Sequence, residues 1–212
     1  MKMDDSWYMN WYHCEASEDD KELMDKVYEF SPLFNDMLFQ PGTSTYDLVK
    51  CQYKGEDGDW KDTEFDPPEE LAYFAYTFFK FKVDDDIDAE GFYNHHEQLL
   101  CLTHETMKQD HAILHEMIHL HESVINELPL YFHDMVYWAL YKELRNRIPD
   151  LDTMITDHAH ILTGSQIYAN GGLHDILFLL KSLQLDICKG YPLGTVFAYG
   201  REDDFKEYTY IK

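Results

Sequence analysis

The stretch HAILHEMIHLHE, from His111 to Glu122, limits what this chain can be more than any other. Its apolar residues Ile113, Leu114, Met117, Ile118 and Leu120 cover most of the circumference of a helix. A helix of that kind belongs in a core. Yet it also carries four histidines and two glutamates. Polar groups inside a core need partners, and a shared cation satisfies two imidazoles at once.

His115, Glu116 and His119 form His-Glu-x-x-His. On a helix, residues four apart differ by about 40° around the axis and by one turn along it. Two imidazoles so placed can share one ion. Zn²⁺ accepts neutral imidazole nitrogen in tetrahedral geometry, and a catalytic zinc keeps one position for water. Glu116 then stands beside the metal, able to take a proton from that water and return it to a leaving amine. His111 and Glu122 share the face of His115 and His119 within roughly 80°. His111 lies a turn too far and reads as a cleft or surface residue. Glu122 reads as an exposed acid, with the second nitrogen of a ligand histidine as its alternative partner. His121 is expected to face solvent, and His95, His96 and His104 to sit at strand edges or in loops.

The rest of the chain reads as strands first and helices after. Residues 1–40 form an acidic, aromatic N-terminal extension expected to pack on the body, with a helix interrupted near Pro32. TYDLVKCQYK (45–54) is strand-like and GEDGD supplies turn residues. LAYFAYTFFKFKV (71–83) is β-prone, with Thr77, Phe79, Phe81 and Val83 alternating against Lys80 and Lys82. Asp84, Asp86 and Asp88 have the spacing that opens a calcium loop. Ala89 replaces the required glycine and no glutamate closes it, so the segment reads as an acidic turn. GFYNHHEQLLCLTHE (91–105) reads as one further strand. Beyond it, helices are expected from Lys108 to a break at Pro129, then over about 130–148, 151–168 and 173–188, with an extended segment in the tail. The expectation is a single α+β domain over 1–212: a small mixed β-sheet followed by a helical half.

Charge and cysteines narrow the function. With 41 acids against 17 bases the net charge is -24. That field repels phosphate and disfavours nucleic acid and anionic lipid. No apolar run reaches the ~20 residues that span a membrane. The four cysteines are widely scattered, which suits free thiols in a reducing compartment. A cytoplasmic protein is the expectation, acting on a peptide or protein partner, with basic ones favoured by the acidic surface.

GFYNHHEQLLCLTHE followed by HAILHEMIHLHE, within residues 71–145, resembles the core of the zincin metallopeptidases. The resemblance implies a zinc-dependent peptidase with His115 and His119 as ligands and Glu116 as general base. It also implies a substrate-pairing strand edge along Gln98 to Leu102. A catalytic zinc needs a third protein ligand. The branch that continues His-Glu-x-x-His-x-x-Gly-x-x-His is excluded, because Glu122 and Ile125 occupy those positions. The glutamate branch remains, and Glu143 fits it, on the apolar stripe of Phe132, Val136, Ala139 and Leu140. His133, Asp157, His158 and His160 are rival ligands or supports, and His158 or His160 a candidate oxyanion stabiliser. Two other readings stand beside the peptidase. One is a non-catalytic acidic interaction module with a zincin-like fold. The other is a di-iron protein built on Glu116-x-x-His119 and Asp157-x-x-His160.

Overall fold

A computed structural model describes residues 17–34, 53–54, 60–61, 80–126, 130–159, 162, 174–197 and 202–211. Residues 1–16, 35–40, 45–52, 55–59 and 71–79, which carried expectations above, lie outside them, as does His160.

The first helix, α1 (Glu18–Phe30), starts at a capping pair. Asp20 N donates to Ser17 Oγ and Ser17 N donates back to Asp20 Oδ2, at 3.1 and 2.8 Å. Such a box satisfies amides that the helix itself leaves unpaired. The helix ends just before Pro32, and Leu23, Val27, Phe30 and Phe34 enter the core. Strands β1 (Tyr53–Lys54) and β2 (Trp60–Lys61) pair antiparallel.

The main sheet has three strands, β3 (Lys80–Val83), β4 (Gly91–Asn94) and β5 (Leu99–Leu102), in the order β3-β5-β4. β3 runs parallel to β5, and β4 runs antiparallel to it. Phe81 is buried while Lys80 and Lys82 are exposed, as the alternation requires. The single strand expected over 91–105 is instead a hairpin. Asn94 Oδ1 accepts from the amides of His96 and Glu97, and Gln98 takes a positive φ of 51°. An asparagine accepting from the backbone two residues on is a turn initiator, and it folds the run in two.

This topology overturns one expectation about the site. β5 is the central strand, hydrogen-bonded along both sides, and Gln98 O accepts from Lys80 N. Gln98 to Leu102 therefore offers no open edge.

Helix α2 (Asp110–Asn126) follows β5 after a short 3-10 turn and carries the His-Glu-x-x-His motif. Ala112 to Ile118 are buried without a break. Helices α3 (Leu130–Arg147), α4 (Leu151–His158) and α5 (Ile176–Lys189) complete the helical half. α4 gives way to a turn at Ala159, and the rest of the span expected for it, Leu162 apart, lies outside the described residues. α3 turns Val136, Ala139, Leu140 and Leu144 inward and packs on α2 and α5.

Helix α5 is buried from Leu177 to Ile187. Asp175 caps its start, accepting from Phe178 N at 2.9 Å. Gly190 ends it in the left-handed region at φ 73°, where a side chain would be strained. The next turn, 193–197, folds back over α5. Asp186, fully buried, accepts from Gly194 N at 2.7 Å and Val196 N at 3.0 Å. A Cβ at Gly194 would meet the Phe205 ring at 2.2 Å, so only glycine fits there. Among the described residues the tail carries this turn and a one-turn helix, α6 (Glu202–Phe205), and Ile211 N ties it to the body by donating to Arg147 O at 2.7 Å. Together these elements make an α+β fold, with a small sheet and a helical half. Among the described residues, no helix is long and apolar enough to cross a membrane.

Candidate metal centre

His115 and His119 stand one turn apart on α2. A third imidazole reaches them from His174, at the entry to α5. One nitrogen of each ring lies within 4.8 Å of the others. The closest pair, His174 Nε2 and His115 Nε2, is 3.1 Å apart. Two nitrogens bound to one tetrahedral zinc at 2.0–2.1 Å would be separated by about 3.3 Å. One pair is thus already near ligand spacing, and the remaining separations stay within 4.8 Å.

The local sequence explains why these rings converge. The four-residue spacing puts His115 and His119 on one face of α2. His174 directly precedes the cap residue Asp175, so the cap fixes where its ring enters. Phe178, in the first turn of α5, lies beside all three, with ring centroids 4.8, 4.6 and 4.4 Å from His115, His119 and His174. His115 Nδ1 lies 2.9 Å from Val196 O. A donated Nδ1–H there leaves the Nε2 lone pair turned toward the other rings. That is the orientation a ligand histidine needs. The Asp186 carboxylate, by holding the 193–197 turn, holds that carbonyl in place.

The electrostatics favour neutral rings. Burial, and then the neighbouring His174, push the His115 pKa down to about 3, against a small opposing effect of the Val196 and Phe197 carbonyls. Burial, and then His115 and His174, hold His119 well below the ordinary range. A neutral imidazole keeps the lone pair that binds a metal.

Glu116 is buried on the same helix, one residue after His115. On β5, the Cys101 thiol is pushed up to about 11, chiefly by burial, with Glu116 among the acids that add to the shift.

Glu143 stands elsewhere. It is half-buried at the flank of the α3 stripe and is not among the three residues whose ligand atoms converge. The third member of the converging group is another histidine, His174, and not from the excluded motif continuation. Sequence pattern alone does not single out His174, which sits 55 residues past His119 and just before α5 rather than in a helix. The signal that could have found it is His-Asp at a helix start: an Asp cap fixes the backbone just before it, and so fixes its neighbour.

The rivals are otherwise engaged. His158 is buried with Nδ1 2.7 Å from Met154 O and Nε2 2.9 Å from Asp204 O, and it stacks on Phe205. Neither nitrogen is left for a metal or an oxyanion. Asp157 is exposed and accepts from Tyr208 OH. The His133 side chain lies outside the described residues. His121, expected at the surface, is buried against Phe34, and burial followed by Lys181 drives its pKa well down. Glu122 is not an exposed acid either. Its Oε2 lies 3.6 Å from His119 Nδ1, and burial followed by Asp175 holds its pKa well above the ordinary range.

Three converging imidazoles form a donor set for a borderline-soft divalent ion such as zinc. A carboxylate stands one residue away. The arrangement defines a candidate three-histidine metal centre at the α2–α5 interface. No protein-family model, no curated protein and no solved structure matches the chain.

Proposed function

We propose that this chain is a zinc-dependent hydrolase of peptide bonds, zincin-like in its core. His115, His119 and His174 hold the metal and Glu116 is the general base. The observation that carries the reading is the convergence of a third imidazole on the His-Glu-x-x-His pair. When bound, zinc supplies a Lewis acid that acidifies water and polarises a carbonyl. Glu116 accepts the proton that water gives up and passes it to the leaving amine. Val196 O keeps the His115 ring turned for binding. Phe178 supplies an apolar wall that limits water behind the rings.

The converging group contains no carboxylate, which favours one zinc over the di-iron alternative and its glutamate-rich sphere. The strand edge beside α2 belongs to β4, which pairs only with β5 among the described residues. Tyr93 OH donates to Ser123 Oγ and seats β4 on α2. In this reading an extended peptide adds to Gly91–Asn94 rather than to β5. The net charge of -24 favours basic peptides.

The test is metal content and cleavage of a basic peptide library by wild type and Glu116→Gln. Both should carry near-stoichiometric zinc. The variant should lose about 10²–10⁴ of the rate. Cleavage that survives Glu116→Gln would exclude the mechanism, and a wild type free of metal would exclude the site.

A further inference from the structure

The three imidazoles do not have equal support. His115 is oriented by a backbone carbonyl and His174 by its place before a helix cap. Among the described residues, the polar group offered to His119 Nδ1 is the Glu122 carboxyl, 3.6 Å away. We propose that Glu122, braced by Asp175, is the positioning residue of the metal centre: it orients His119 and sets the distance between α2 and the segment carrying His174. The proposal rests on the metal-binding part of the reading above, and not on peptide hydrolysis.

The geometry comes from both ligand-bearing elements. Glu122 is three residues after His119, so the helix puts carboxyl and imidazole side by side. From the other side, the Asp175 carboxylate faces Glu122 closely enough that its charge adds to the rise in the Glu122 pKa. Asp175 also caps α5 through Phe178 N and adjoins His174. One carboxyl pair thus links both sources of ligands. Glu122 Oε1 is buried with no hydrogen-bond partner among the described residues, so the pair has accepting capacity in reserve.

At 3.6 Å the His119–Glu122 approach is longer than a hydrogen bond. It needs about half an ångström to become one. A metal taken on Nε2 makes Nδ1–H a stronger donor, which favours that closure. Ligand histidines are ordinarily fixed in this way, and loss of such a partner typically costs 10–100-fold in metal affinity.

Cobalt(II) is a suitable probe, because its visible absorption reports coordination geometry. Metal-free wild type, Glu122→Met and Glu122→Gln would be titrated with Co²⁺ against a competing chelator. Met matches the length of Glu without an acceptor, and Gln retains an accepting oxygen. Glu122→Met should bind about 10–100-fold more weakly, with shifted bands, while Glu122→Gln stays within about tenfold of wild type. The metal-free Glu122→Met protein should melt no lower than wild type. A residue of merely structural value would give the reverse: a lower melting point with unchanged affinity and spectrum.

Imidazole ¹H–¹⁵N spectra of zinc-loaded wild type test the same point without a variant. His119 should show a protonated Nδ1 in slow exchange, with the metal on Nε2. Metal on Nδ1, or a Glu122→Met protein that binds cobalt as wild type does, overturns the positioning role alone. A wild type that takes up no cobalt overturns it together with the metal centre.

Discussion

Histidines do opposite things at the two ends of this molecule. At the α2–α5 interface, His115, His119 and His174 are crowded together, and burial keeps His115 and His119 neutral. At the corner where α1 meets the turn before β4, His104 is exposed. Its Nδ1 lies 2.9 Å from Asp85 and its Nε2 3.2 Å from Asp19. Those carboxylates, Asp19 first, raise its pKa. One side chain becomes a ligand where water and countercharge are withheld, and a surface cation where both are supplied. In a chain with so many acids, a histidine without a countercharge is the informative one.

The strongest way to break this contrast is to remove the convergence. His174→Ala should abolish stoichiometric metal binding, as His115→Ala should, with affinity falling more than about 100-fold. Glu143→Ala should leave metal content unchanged. Metal analysis of the purified variants decides the matter. Retained zinc in His174→Ala with loss in Glu143→Ala would restore the glutamate as third ligand.

That pair of variants also marks how far the sequence could be read. The apolar ring around His115 and His119 made α2 a core helix and the two imidazoles neighbours, because both follow from helical period alone. α+β order was legible for the same reason. The hairpin at Asn94 was lost because a β-prone run hides a turn whose only sign is one asparagine. The central position of β5 was not legible, since strand order depends on pairings between segments and not on pattern within one. His174 and the burial of Glu122 and His121 depend on how α5 seats against α2. An amphipathic reading of α2 could not find them, because that helix is covered on nearly every side.

Acid sharpens the contrast next. The folded pKa values of His115, His119 and His121 lie below the ordinary value of about 6.5, in each case chiefly through burial. Above that pH both folded and unfolded chains hold these rings neutral. Below it the unfolded chain takes up protons first, so stability is lost as pH falls toward the folded values. Glu122, raised by burial and Asp175, acts in the other direction: its contribution is present in acid and lost as pH rises through its folded pKa. Three rings against one carboxyl leave a net loss. The metal-free melting point should fall by more than about 5 °C between about pH 7 and pH 5. Zinc at about 100 times its dissociation constant should raise the melting point at pH 7 by roughly 5–10 °C. A flat metal-free profile over that range would mean that the rings are open to solvent.

The smallest effect is expected at the corner. His104 has a raised folded pKa, so the stability it contributes is complete below about pH 6.5 and disappears as pH rises through the folded value. Its side chain is 45% exposed, and surface pairs of this kind contribute little. His104→Gln should therefore melt within about 2 °C of wild type at about pH 5.5 and be indistinguishable from it at about pH 9. The difference should shrink in high salt, which screens the attraction of Asp19 and Asp85. Asp20, whose Oδ1 accepts from Val83 N at 2.7 Å, holds α1 to β3 without any charge on histidine. A large loss of stability in His104→Gln, persisting at high pH, would show that His104 fastens α1 as a structural group. The corner would then differ from the α2–α5 interface by less than its exposure implies.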